Sequence, residues 1–139
     1  MTTLGPTSRK ILIIEDSPLV AEYAEMLLTE AGYQVVIAKD WIEANVLVFN
    51  REEHIDLILI DVNLGLCITG DKIAEVYKSR REKSNSAGAL SNVGIYLFSS
   101  MDEAELEKLV KKTGVDGYIQ KKEELAGLVD RVRAYFNEK

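Results

Sequence analysis

Hydrophobic and polar positions fall into blocks along this chain. Five short runs are apolar on every position: Ile11–Ile14, Val35–Ala38, Leu57–Ile60, Ile95–Phe98 and the weaker Tyr118–Ile119. Each is too short and too uniformly apolar for a surface helix, so each reads as a strand buried on both faces. Between them apolar residues recur at three- and four-residue spacing, as in Val20, Tyr23, Ala24 and Leu27, in Ile73, Val76 and Tyr77, and in Leu106, Leu109 and Val110. That spacing lines one face of a helix. Trp41–Phe49 is a less clean helical stretch, and Leu125, Leu128, Val129, Val132 and Phe136 mark a last helix.

Local punctuation agrees with these assignments. Ser17 followed by Pro18 predicts the start of the first helix, because the hydroxyl can accept from a free N–H and proline suits the first helical position. Ser100-Met101-Asp102-Glu103 has the form of a capping box for the fourth helix, and Gly114 suits its end. Glu82–Asn92, rich in Ser, Asn and Gly, reads as a long polar loop. Strict strand–helix alternation repeated five times implies right-handed crossovers and an α/β three-layer sandwich. The expected fold is a flavodoxin-like, doubly wound (βα)5 domain with a parallel five-stranded sheet of order 2-1-3-4-5.

Composition narrows the function. At 139 residues the chain suits one domain, read as a tail at 1–9, a folded unit at 10–136 and a tail at 137–139. Twenty-three acidic against 17 basic residues give a net charge of −6, which argues against direct nucleic-acid binding. No apolar stretch is long enough to span a membrane, and Met1–Arg9 lacks the apolar core of a secretory signal. The single cysteine, Cys67, excludes an internal disulfide, so a cytoplasmic location is expected. His54, the only histidine, reads as an exposed loop residue before the third strand.

In open α/β sheets ligands bind beyond the carboxyl ends of the strands. The residues there are Glu15-Asp16 after the first strand, Asp61 after the third, Ser99-Ser100 after the fourth and Lys121-Lys122 after the fifth. Three carboxylates at one edge repel each other and raise their pKa values unless a cation compensates them. Hard oxygen donors with room for water and phosphate match Mg²⁺. The three acids at −3, one Mg²⁺ and one lysine sum to zero.

These segments resemble the receiver domains of two-component response regulators from Lys10 to Tyr135. Ile11-Leu12-Ile13-Ile14-Glu15-Asp16-Ser17 is similar to that family's acidic-pair segment, and Asp56-Leu57-Ile58-Leu59-Ile60-Asp61 to its phosphoacceptor strand. Leu97-Phe98-Ser99-Ser100 resembles the hydroxyl segment, and Gly114–Lys121 the aromatic-and-lysine segment. The resemblance implies that Asp61 accepts a phosphoryl group from a phosphohistidine on a sensor histidine kinase or histidine phosphotransfer protein. It implies Mg²⁺ held by Asp16, Asp61 and the carbonyl of Asn63, with Glu15 acting through water. Lys121 and Ser99 would contact phosphoryl oxygens, Ser99 and Tyr118 would form the switch, and a partner would read the face made by helix 4, strand 5 and helix 5. A monomer or a weak, phosphorylation-dependent dimer is expected, regulating a partner rather than acting as an enzyme.

Two departures stand out. The family's lysine is usually followed by a cis proline, whereas Lys122 stands here, and a cis bond before a non-proline residue costs about 2.5–4 kcal/mol. A trans loop or a strained one is expected, with Lys122 as the alternative cation. The segment from Asp61 to Gly70 lacks the usual proline and is a residue long. Three rival readings remain: a pseudo-receiver that binds without being phosphorylated, an aspartyl-phosphate phosphatase, and a flavin binder. The phosphatase wants a second carboxylate close after Asp61, absent from Asp61-Val62-Asn63. The flavin binder wants a neutral phosphate cradle where Glu15-Asp16 stand.

Overall fold

In the computed structural model of the chain, residues 8–50, 54–63, 69–83, 90 and 92–137 are described. Strands β1 (Lys10–Ile14), β2 (Gln34–Ala38), β3 (Leu57–Asp61), β4 (Gly94–Ser99) and β5 (Gly117–Gln120) alternate with helices α1 (Pro18–Glu30), α2 (Trp41–Val48), α3 (Gly70–Lys83), α4 (Glu103–Thr113) and α5 (Leu128–Asn137). All strand pairs are parallel and the order is β2-β1-β3-β4-β5. The expected three-layer sandwich is therefore the observed one.

The two-residue period of a strand explains how wholly apolar runs serve both faces. Leu12, Ile14, Ile58, Ile60, Ile95 and Leu97 pack with Ala44 and Val48 of α2, Ile73 and Tyr77 of α3, and Leu106 of α4. Their neighbours Ile11, Ile13, Leu57, Leu59 and Phe98 pack on the other side with Ala24 and Leu28 of α1 and with Leu128 and Val132 of α5. The weak periodicity of α2 also has a cause, since Ile42 and Val46 remain exposed while Ala44 and Val48 are buried, leaving the helix apolar nearly all round.

Caps set where the helices begin and end. Ser17 accepts from the Val20 N–H and Pro18 opens α1, as the sequence implies. Gly114 ends α4 in the left-handed region at φ 78°. The Ser100 capping box, however, does not form. Asp102 is the residue before α4, it makes no side-chain cap bond, and Ser100 lies outside the helix. The last helix is also shorter than its apolar spacing suggests: Leu125 sits in a separate 3-10 turn, Glu123–Leu125, and α5 starts only at Leu128. Positive φ at Glu124, Leu125 and Gly127 breaks the helix there, although Leu125 stays buried in the same core as Leu128. The polar loop begins later than expected, because α3 continues to Lys83. Residues 84–89 and 91 of that loop, and 64–68 including Cys67 in the segment read as a residue long, lie outside the described residues.

Candidate functional site

The register of β1, β3, β4 and β5 brings their carboxyl ends together. Asp61 is the last residue of β3 and pairs with Phe98, one residue before Ser99. Ser99 pairs with Gln120, one residue before Lys121. Glu15 directly follows Ile14, which pairs with Ile60. Four strand ends thus converge around one point.

Three carboxylates meet there: an oxygen from each of Glu15, Asp16 and Asp61 lies within 4.8 Å of the others. Glu15 and Asp61 are 3% and 5% exposed, while Asp16 faces solvent. Lys121 reaches across from β5, with Nζ 2.6 Å from Glu15 Oε1 and 3.3 Å from Asp61 Oδ1. It also lies 5.0 Å from the centroid of the Phe98 ring, whose π face favours the cation. The Lys121-Lys122 bond is trans, since the described residues hold no cis peptide, and the lysine that reaches the acids is Lys121, with Lys122 exposed.

Electrostatics single out Asp61. Burial, and then the neighbouring Glu15 charge, push its carboxyl up from 3.8 to about 6, against the pull of Lys121 and of the Asn63 N–H that donates to Oδ1 at 3.1 Å. Burial is the largest cause, because loss of solvent penalises the ionised form. Glu15 Oε2 accepts from the Ser17 N–H. Oε1 is within ion-pair distance of Lys121 but outside hydrogen-bond alignment, leaving it without a hydrogen-bond partner among the described residues. The Lys121 ammonium at 2.6 Å balances the charge of that buried oxygen. An all-oxygen donor set, two of its three acids buried beside an open edge, fits Mg²⁺.

The other residues singled out from the sequence are also placed. Ser99 is 1% exposed, and its Oγ accepts from the Met101 N–H at 3.0 Å, which leaves the hydroxyl proton free to be donated. Asn63 follows the site in an exposed position. Tyr118 turns away from Asp61, its hydroxyl donating toward Glu103 Oε1 at 3.0 Å, with Glu107 Oε2 at 3.3 Å. Partial burial and these two carboxylates raise its pKa, and the Arg131 guanidinium lies 5.3 Å from its ring centroid. His54 is exposed and pairs with Asp56 at 3.1 Å, at the amino ends of β1 and β3 and so at the opposite edge of the sheet from the acids.

Two residues that spacing did not single out also matter. Gly70 opens α3 so close to β3 that a Cβ there would overlap the backbone carbonyl of Asp61. Only a glycine admits that approach. Gln120 bonds the β4–α4 loop, and strict alternation from Tyr118 could have placed it on the α4 face. A cleft of about 610 Å³ opens beside Glu15 and Lys121, between Leu19 and Tyr23 of α1 and Leu125 of the β5–α5 turn.

The chain is thus an α/β domain with a parallel five-stranded sheet and a cluster of three acids and a lysine at its carboxyl edge. The response regulator receiver domain family matches residues 11–133, and the chain belongs to that family, whose members are signalling regulators of two-component systems. It is 27% identical over 131 residues to the CAI-1 autoinducer sensor kinase/phosphatase CqsS of Vibrio cholerae, covering 91% of this chain and 17% of that protein. It is 22% identical over 131 residues to the polar-differentiation response regulator DivK of Brucella ovis, covering 94% of this chain and 98% of DivK. Solved structures share the fold. The receiver domain of Francisella response regulator 1452 superposes with a TM-score of 0.76 at 22% identity, covering 95% and 100% of the two chains. The chemotaxis response regulator CheY4 of Vibrio cholerae does so at 0.74 and 23%, covering 91% and 98%.

Proposed function

We propose that residues 10–136 act as a phosphorylation switch in which Asp61 is the phosphoacceptor. The observation that carries this reading is the meeting of Glu15, Asp16 and Asp61 with the Lys121 ammonium at one sheet edge. A carboxylate oxygen of Asp61 forms the new O–P bond as the N–P bond of a phosphohistidine breaks, and the imidazole nitrogen keeps the electron pair. The donor belongs to a sensor histidine kinase or histidine phosphotransfer protein, which reaches Asp61 from the open edge beside the α1 cleft. Phosphoryl transfer requires positioning and neutralisation of the equatorial oxygens more than covalent help.

The residues of the chain divide that work. Lys121 supplies a cation to one phosphoryl oxygen, and Ser99 donates its free hydroxyl proton to another. Asp16, Asp61 and the Asn63 carbonyl would hold Mg²⁺, with Glu15 acting through water. The metal supplies charge neutralisation that lets the acids and the incoming phosphoryl group share one site. Loss of Ser99 from the Met101 N–H frees the β4–α4 loop, and Tyr118 then leaves Glu103 and Glu107 and rotates inward. The face made by α4, β5 and α5 changes, and a downstream partner reads it as a population shift. The chain modifies no substrate other than itself and works in the cytoplasm as a monomer or weak phosphorylation-dependent dimer.

Acetyl phosphate with Mg²⁺ tests the reading. One phosphoryl group per chain is the expected mass change. No change under conditions where the chain binds Mg²⁺ would favour the pseudo-receiver, a binding module of the same fold.

A further inference from the structure

Met101, in the loop between β4 and α4, is held from two sides. Its N–H donates to Ser99 Oγ at 3.0 Å, and its carbonyl accepts from the Gln120 side-chain amide at 3.0 Å. The first bond belongs to the phosphoryl-binding hydroxyl. The second comes from the last residue of β5, where period-two alternation puts Gln120 on the same face as Tyr118, toward α4. The backbone closes the ring, because Gln120 pairs with Ser99 in register and the Lys121 N–H donates to the Ser99 carbonyl at 2.7 Å. A carbonyl can only accept, so the Gln120 amide must present its NH₂ group to Met101.

The Met101 side chain also packs against the core on the α4 side, but no further side-chain hydrogen bond to the described residues holds the Met101 backbone. Asp102, the residue before α4, makes no cap bond with its side chain. When the Ser99 side chain rotates to carry its hydroxyl toward another acceptor, Oγ moves off the Met101 N–H, which then has to find a new partner, and the loop is drawn after it. The Gln120 bond to the same residue opposes that displacement.

We infer that Gln120 is a positioning residue, a tether that holds the β4–α4 loop in its resting place and sets how readily the switch leaves it. The inference rests on the proposed phosphoacceptor role of Asp61 and deepens it. Gln120 touches no reacting atom and acts through Met101. Losing one hydrogen bond of this kind shifts the balance between the resting and displaced loop by roughly two- to ten-fold.

The test is Gln120→Met, close in size and lacking the donor, compared with wild type by amide NMR and by the rate of acetyl phosphate labelling with Mg²⁺. In the unphosphorylated variant, the Ser100, Met101 and Asp102 amides should move toward their positions in phosphorylated wild type. Labelling should speed up by about two- to ten-fold. A second variant, Gln120→Lys, restores an N–H donor of similar reach and should return those amides toward wild type, which a merely structural loss would not do. Amides at wild-type positions in Gln120→Met, with an unchanged labelling rate, would overturn the inference. If neither protein is labelled, the acceptor reading fails instead. The tether is then decided by the displacement of these amides and its reversal by lysine, and unmoved amides overturn it.

Discussion

Replacing Asp61 with asparagine should stabilise the metal-free fold, and the gain should depend on pH. A rise of the Asp61 carboxyl from 3.8 to about 6 means that the folded state holds this group's proton more tightly than the unfolded chain does. Because the folded value is the higher one, the associated stability is complete below about pH 4 and is lost as pH climbs through about 6. At pH 8 the ionised form costs the fold about 3 kcal/mol, and by pH 5 about half of that. The asparagine side chain cannot ionise and keeps nearly the same shape, so the variant should exceed wild type by up to about 3 kcal/mol at pH 8 and by roughly half as much at pH 5. The side chain of Asp61 is only 7% exposed, so solvent screens little of this. Urea unfolding in EDTA at both pH values measures it. A variant less stable than wild type at pH 8, or an advantage that does not shrink on acidification, would refute the electrostatic account. Mg²⁺ should narrow the gap by binding the folded wild type more tightly than the variant.

Two further substitutions probe the site. Gly70→Ala should cost about 2–3 kcal/mol, because the new methyl group meets rigid backbone at Asp61, and it should also slow labelling by displacing the acceptor; thermal melts and labelling rates measure the two effects. Lys121→Met should raise the Asp61 pKa above about 6, read by carboxyl NMR, and slow labelling by about 100-fold through loss of the cation facing the phosphoryl oxygens.

Much of this arrangement is legible in the sequence because the central strands β1, β3 and β4 are buried on both faces. A wholly apolar run marks such a strand, and the first polar residue after it marks the sheet edge, which is how Glu15, Asp61 and Ser99 come into view together, with Lys121 one residue further on after Gln120. Local signals fail where tertiary contacts compete with them. The Ser100 box looks right for a cap, yet the chain around Met101 is already held by Ser99 and Gln120, so the helix starts after Asp102. Leu125 has the spacing of a helical residue, but positive φ at Glu124, Leu125 and Gly127 separates it from α5 while its side chain still reaches the core. Lys121 is the expected cation with Lys122 as the alternative, and it is the Lys121 ammonium that lies 2.6 Å from Glu15 and 3.3 Å from Asp61. Gly70 and Gln120 carry no chemistry of their own; their importance comes from what lies beside them, which only the packed structure reveals.

The most direct test of the central claim is the intact mass of wild type and Asp61→Asn after exposure to acetyl phosphate and Mg²⁺. The wild type should gain one phosphoryl group and the asparagine variant none. Undiminished labelling of the variant would show that another residue is the acceptor.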